Sequence, residues 1–250
     1  MTTTPKSLER HIFLTYFSLR IGIAIMALAF PLVLLLGGII IGVEWQDSMS
    51  AYYHASSGDV SMRDWFVGIL FGVAAFLILY RGYRPLENWL LNVGGVFAVG
   101  VAIFPMSREC AANCKWSPHG FCAVAFFLCL AAVCLFCSRD TLQLIKDPTR
   151  RKRYQGVYSV LGVLMVALPL AAWVVTTVFV PSKVVFCIES AGIIAFAAYW
   201  LTKSKELEES QLDKKVLKGI VSHIPAAPLN PLAHISEIAE PMHFSDTKSA

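Results

Sequence analysis

Six long apolar runs, separated by short polar stretches, constrain this chain more than any other feature. Each run is long enough to cross the hydrocarbon core of a bilayer, which takes about 20 helical residues. Only 15% of the residues are charged, against about 25% in soluble domains, and the mean hydropathy is +0.62. The sequence therefore predicts an all-α, polytopic membrane protein, a six-transmembrane-helix bundle. The predicted spans are about 21–43, 64–80, 89–105, 119–137, 156–180 and 184–201.

The placement of Lys and Arg predicts which way the bundle faces. Basic residues concentrate before the first span, after the second, between the fourth and fifth, and after the sixth. Because cytoplasmic loops carry an excess of Lys and Arg, both termini are expected to be cytoplasmic. The predicted organisation is a cytoplasmic basic lead-in at 1–20, a transmembrane domain at 21–201 and a cytoplasmic tail at 202–250. Pro31 predicts a kink in the first span.

The tail carries a second helical pattern. Apolar residues recur at helical spacing over about 207–224, beside several lysines, which predicts an amphipathic helix. Four prolines follow between 225 and 241, a composition typical of disorder. This tail is a candidate surface for a protein partner, while the spans contact membrane lipids. The net charge of +4 lies in short loops beside the spans, so no nucleic-acid partner is expected.

Polar residues converge at the predicted outer ends of the spans. Ser50 and His54 precede the second span, and Asp64 begins it. His119 begins the fourth span, and Glu189 lies about one and a half turns into the sixth. Ser50 and His54 are four residues apart, so on an α-helix they share a face. Ionisable side chains at this depth are costly unless they are hydrated, paired or used.

Two imidazoles and two carboxylates form a typical donor set for zinc. The predicted metal ligands are His54, Asp64, His119 and Glu189, with Ser50 and Asp64 in catalytic roles. A bound zinc lowers the pKa of its water and makes a hydroxide nucleophile, which Ser50 would help to orient. Because a site at this depth is reached from the bilayer, the predicted activity is zinc-dependent hydrolysis of a lipid amide or ester at the outer leaflet.

The pattern Ser50-x-x-x-His54 followed by Asp64 resembles the serine, histidine and aspartate of the alkaline ceramidase and adiponectin receptor superfamily. Those proteins have seven spans and an intramembrane zinc held by three histidines, and characterised members hydrolyse lipid amides. The resemblance implies that His54 is a zinc ligand, that Asp64 positions the zinc-bound water and that Ser50 assists. This chain has one span fewer, and its last span offers Glu189 in place of the family's His-x-x-x-His.

The same residues are compatible with two other functions. In a transporter or channel, His54, Asp64, His119 and Glu189 would form a proton or cation path. The sequence disfavours that path, because no comparable set of polar residues is evident in the inner halves of the spans. In a non-catalytic scaffold with a partner-binding tail, Asp64 would cap the second span and Glu189 would bond a neighbouring helix. The residues alone leave all three functions open.

Two cysteines lie in the predicted outward loop before the fourth span. Cys110 and Cys114 are followed by His119 five residues later, a spacing that loosely resembles a zinc site. On an oxidising outer face a disulfide between them is expected instead. The other five cysteines lie within spans and are expected to pack as small apolar residues.

Overall fold

The computed structural model describes residues 5–106, 117–178 and 183–212. Six of its helices are long and apolar enough to cross a membrane, which confirms the predicted all-α, multi-pass architecture. The helices are α1 (Pro5–Leu32), α2 (Gly38–Ile41), α3 (Met62–Leu79), α4 (Pro85–Ile103), α5 (Pro118–Ala132), α6 (Ser138–Leu142), α7 (Pro148–Val178) and α8 (Lys183–Ser210). Span 1 comprises α1 and α2, spans 2 and 3 are α3 and α4, span 4 comprises α5 and α6, and spans 5 and 6 are α7 and α8.

The six spans form a closed ring. Each span packs against its neighbours in sequence, and span 6 also packs against span 1. Since consecutive spans alternate in direction, spans 2, 4 and 6 begin at one end of the bundle and spans 1, 3 and 5 begin at the other. We call these the Ser50 end and the Lys203 end, after the residues found there. Which end faces the cytoplasm stays a prediction.

Span 1 and span 4 each contain a π-helical turn. One turn covers Val33–Gly37, directly after Pro31, and joins α1 to α2. The other covers Val133–Cys137 and joins α5 to α6. An extra residue in a helical turn redirects the side chains that follow it. The predicted kink site at Pro31 therefore coincides with a real irregularity of the helix.

The helices continue beyond the apolar runs that predicted them. The basic lead-in and the first span are one helix from Pro5, and span 4 continues to Leu142 through the start of the predicted basic loop. Hydropathy marks the apolar part of a helix only, whereas backbone hydrogen bonding persists into the polar boundary. Span 6 likewise extends to Ser210, over the start of the predicted tail helix. The rest of the tail and the Cys110–Cys114 pair lie outside the described residues.

The connection between spans 1 and 2, residues 43–61, folds over the Ser50 end; we call it the Ser50 loop. It contains a 3₁₀ helix, Ser50–His54, and a two-stranded antiparallel hairpin formed by β1 (Ser56–Ser57) and β2 (Val60–Ser61). Gly38 of span 1 allows the loop to pack closely against the span. A Cβ atom at this position would lie only 2.9 Å from the Tyr52 ring. Tyr52 is fully buried, and that burial raises the pKa of its phenol. The loop is thus a packed part of the bundle, able to hold Ser50 in place.

Candidate functional site

The central contact at the Ser50 end joins the Ser50 loop to span 4. The Ser50 hydroxyl lies 2.9 Å from His119 Nε2. His119 is the second residue of α5, after Pro118, and its side chain is only 5% exposed. The Phe66 ring stacks against the imidazole, with 6.4 Å between the ring centroids. A hydroxyl and a shielded imidazole are therefore in direct hydrogen-bond contact.

The second nitrogen of His119 fixes which way this hydrogen bond runs. His119 Nδ1 lies 2.8 Å from the backbone carbonyl oxygen of Phe104, just after span 3. A carbonyl oxygen only accepts, so we assign the proton to Nδ1. In the neutral ring Nε2 then has a lone pair and accepts the proton of the Ser50 hydroxyl. This is the arrangement of a nucleophile and its general base, with a backbone carbonyl orienting the ring.

Glu189 holds the backbone beside Ser50. Its Oε2 accepts a hydrogen bond of 2.6 Å from the Met49 backbone N–H, and the carboxylate also bonds the Ser50 backbone N–H. One helical turn earlier, Phe186 N–H donates to the Asp47 carbonyl oxygen at 2.9 Å. Span 6 therefore anchors the Ser50 loop at two points, and Glu189 sets where the Ser50 residue lies.

His54 points away from Ser50, contrary to the expectation of a shared face. The segment is a 3₁₀ helix, with about three residues per turn, so residues four apart diverge by about 120°. His54 Nε2 instead lies 2.6 Å from the Met106 carbonyl oxygen. The two histidines therefore bond the chain just after span 3, at Phe104 and Met106.

Asp64 does not join the other predicted site residues. Its side chain is 73% exposed and lies 3.7 Å from Arg63 Nε. Ser61 is the N-cap of span 2, and Asp64 lies in the first helical turn, where a carboxylate is favoured by the helix dipole. Asp64 is not part of the contact between Ser50 and His119, which we call the dyad, and its catalytic and zinc-ligand roles stay predictions.

A cavity of about 80 Å³ opens beside the dyad. Its polar lining comes from Ser50, His119 and Glu189, and the rest of the wall is apolar. The structure therefore brings three of the five predicted site residues to one cavity. It leaves His54 beside it, on Met106, and Asp64 outside.

Zinc binding stays a prediction. Within the described ranges, no group of three or more His, Cys, Asp or Glu side chains is arranged to hold a metal ion. Both ring nitrogens of His119 are engaged, with Ser50 and with Phe104. A zinc ion on His119 would require one of these two contacts to break.

The sequence reasoning missed a second buried cluster, at the Lys203 end. Lys203, one of the basic residues predicted to flank the sixth span on the cytoplasmic side, is 0% exposed. Its Nζ lies 3.1 Å from Glu206 Oε2 and 2.5 Å from Thr141 Oγ1. Glu206 Oε2 also accepts a hydrogen bond of 2.8 Å from the Tyr158 hydroxyl. Thr141, Lys203 and Glu206 lie beyond the predicted ends of spans 4 and 6, so the expectation of few polar residues in the inner halves of the spans stays a prediction.

Further charges complete this cluster, which we call the Lys203 network; its charged members are Arg20, Arg84, Glu87, Asp140, Lys203 and Glu206. Arg84 donates to Asp140 Oδ2 at 2.7 Å, and this hydrogen bond raises the pKa of Arg84. Glu87 is 2% exposed, accepts from the Tyr83 N–H at 2.9 Å and interacts electrostatically with Lys203. The three positive and three negative members balance. The sequence does show three acidic residues near span ends, Glu87, Asp140 and Glu206. Their burial, however, depends on how the six spans pack together.

Comparison with known proteins finds a family model that matches most of the spans. A family model described as "Protein of unknown function (DUF998)" matches residues 45–202, more than half of the chain. No curated protein and no solved structure matches it significantly. The match covers the Ser50 loop from residue 45, spans 2 to 5 and span 6 as far as residue 202, and so includes both Ser50 and His119. The resemblance to the alkaline ceramidase and adiponectin receptor superfamily is therefore wrong. It rested only on the short pattern Ser50-x-x-x-His54 followed by Asp64.

Proposed function

The chain belongs to the DUF998 family, and we propose that it is a membrane-embedded acyl hydrolase with Ser50 as nucleophile and His119 as general base. The observation that carries this proposal is the 2.9 Å contact between Ser50 Oγ and His119 Nε2 at the cavity wall, with Nδ1 on the Phe104 carbonyl. The substrate is an ester or amide of a lipid, because the cavity lies among membrane spans and its wall is mostly apolar.

The reaction follows from the dyad in two steps. Ser50 Oγ attacks the substrate carbonyl carbon while His119 Nε2 takes the hydroxyl proton. The tetrahedral intermediate expels the alcohol or amine, which receives that proton from His119, and the acyl group remains on Ser50. Water then attacks the acyl-serine, with His119 again taking and returning the proton. The products are the free acid and regenerated Ser50.

Three neighbouring groups support this chemistry. The Phe104 carbonyl holds the ring and stabilises the Nδ1 proton when the imidazole becomes positively charged. The Phe66 ring and the apolar wall exclude water, which strengthens every polar contact inside. Glu189 is a positioning residue, because it bonds the backbone of Met49 and Ser50 rather than the reacting atoms.

Ester and amide hydrolysis by the purified full-length protein tests the proposal. Ser50→Ala is expected to lower kcat/KM by about 10³-fold or more, because removing the nucleophile of such a unit abolishes most of the catalysis. His119→Ala should cause a loss of the same order. Ser56→Ala, an exposed serine of the same loop, is the matched control and should retain full activity. Equal activity in Ser50→Ala and the intact protein would refute the proposal.

Zinc-dependent hydrolysis is a second form of the same proposal, with His54, His119, Glu189 and Asp64 as the predicted ligands. It differs in one measurable respect. Elemental mass spectrometry of protein purified without chelator would find about one zinc per chain, and a His54→Ala/His119→Ala double variant would lose it. The dyad proposal expects hydrolysis to survive treatment with EDTA.

Proton- or cation-coupled transport is a second candidate function. The buried ionisable residues of the Lys203 network favour it, because spans 4 and 6 carry such residues near both of their ends. Between Glu189 and Lys203 span 6 rises about 21 Å, so a path would have to cross the apolar middle of the ring. Proteoliposome flux that falls in both Glu189→Gln and Glu206→Gln would favour transport over hydrolysis.

A further inference from the structure

The cavity beside Ser50 has a definite size and depth. It is about 80 Å³, roughly half the ~150 Å³ of a protein cavity that takes one benzene molecule. Along span 4 its wall runs from His119 through Ala123 to Phe127, so Phe127 lies about 12 Å from His119 along the helix axis. The cavity is thus a short, narrow space with the proposed nucleophile on its wall.

We propose that this cavity binds the acyl group of the substrate and restricts it to short, uncharged chains of about two to four carbons. The inference rests on the proposed function and adds the substrate class. Ser50 and His119 lie on the wall, so a carbonyl carbon at Ser50 Oγ leaves the acyl chain to extend into the cavity.

The chemistry of the wall selects against polar acyl groups. Away from Ser50, His119 and Glu189 the lining is aromatic or aliphatic, including Phe126 and Phe127. A charged or hydrogen-bonding acyl group would lose its hydration there without gaining a partner. A short alkyl chain fills the space at no such cost.

Two alanines make the space available. Ala98 of span 3 is fully buried, and Ala123 of span 4 lies one turn from His119. Larger side chains at either position would occupy the volume that the acyl chain needs. With only a short acyl group inside, the long apolar part of a lipid substrate must belong to the alcohol or amine that leaves.

The chemical step is the acyl transfer described above. The bond from the acyl carbon to the leaving oxygen or nitrogen breaks, the bond to Ser50 Oγ forms, and the leaving group takes the proton from His119. Water completes the turnover and releases a short carboxylic acid. No oxidant, reductant or further reactant is needed.

Ester chain length tests the inference with 4-nitrophenyl acetate, butyrate and octanoate and the full-length protein in detergent. The expected kcat/KM for octanoate is at least tenfold below that for butyrate, because one misfitting methylene in a pocket already costs about that much. Ala123→Leu should lower butyrate hydrolysis at least tenfold more than acetate hydrolysis. Phe127→Ala should raise the octanoate rate.

Ala125→Leu is the matched control, since Ala125 lies on the same span but does not line the cavity; its ester preference should stay that of the intact protein. Ser50-dependent hydrolysis that is fastest with octanoate would overturn the inference and leave the proposed function standing. Equal shifts in Ala123→Leu and Ala125→Leu would overturn it as well. Hydrolysis that does not depend on Ser50 for any of the three esters would overturn the proposed function and the inference together.

Discussion

The two ends of the bundle bury ionisable side chains on the same spans but satisfy them in different ways. At the Lys203 end charges meet charges, as in the Lys203–Glu206 and Arg84–Asp140 pairs. At the Ser50 end an imidazole meets a hydroxyl and a carbonyl, beside an open cavity. Buried ion pairs are common structural devices, whereas an imidazole with a free volume beside it has room for a substrate. Burial alone therefore does not distinguish the two ends; the kind of partner and the adjacent space do, and on these we base the proposed site.

The largest effect on stability is expected at the Lys203 end. Lys203→Met leaves Glu206 buried without its ion partner, and breaking such a pair costs about 3–5 kcal/mol. Unfolding by SDS from mild detergent micelles measures the change. Lys205→Met removes an exposed lysine of the same helix and should change stability by no more than about 0.5 kcal/mol. Equal losses of stability in the two variants would show that the Lys203 network does not stabilise the fold.

Glu189→Ala should affect catalysis more than folding. Without the carboxylate, the backbone of Met49 and Ser50 loses its anchor, and a displacement of about 1 Å at a reacting group costs about 100-fold in rate. Steady-state ester hydrolysis should show the loss mainly in kcat, with Glu189→Gln less affected because its amide oxygen still accepts. Glu44→Ala, an exposed carboxylate of the same loop, serves as the control. An unchanged kcat in Glu189→Ala would show that Glu189 does not position Ser50 for the reaction.

A double-mutant cycle sharpens the comparison further. If the Lys203–Glu206 contact is a true ion pair, Lys203→Met/Glu206→Met should be at least about 1 kcal/mol more stable than the sum of the two single losses predicts. The reason is that the double variant leaves no unpaired buried charge. Strict additivity in SDS unfolding would mean that the two side chains act independently.

The smallest effect is expected for Asp64→Asn. Asp64 is exposed, and within the described residues its ion partner is Arg63 at 3.7 Å, so ester hydrolysis should stay within about twofold and stability within about 0.5 kcal/mol. This variant also tests the predicted catalytic and zinc-ligand roles of Asp64. A loss of activity comparable to that of Ser50→Ala would restore those roles.

The span count and part of the site could be predicted from the sequence because hydropathy and span order are local properties. Alternation of the spans places Ser50, His119 and Glu189 at one end without further information. The partner of each side chain could not be predicted. His54 and Ser50 point in different directions because this part of the loop forms a 3₁₀ helix. The carbonyl of Phe104, which orients His119, is a backbone group, so no residue type in the sequence predicts its role. The burial of Lys203 could not be predicted either, because it depends on contacts with other helices, such as those with Thr141 of α6 and Tyr158 of α7.

Covalent labelling of Ser50 tests the central claim most directly. A short-chain alkyl fluorophosphonate is incubated with the intact protein, His119→Ala and Asp64→Asn, and peptide mass spectrometry locates the adduct. We expect an adduct on Ser50 in the intact protein and in Asp64→Asn, and we expect it to form at least a hundredfold more slowly in His119→Ala. An intact protein that hydrolyses esters without any adduct on Ser50, or labelling at the same rate in His119→Ala, would contradict the central claim.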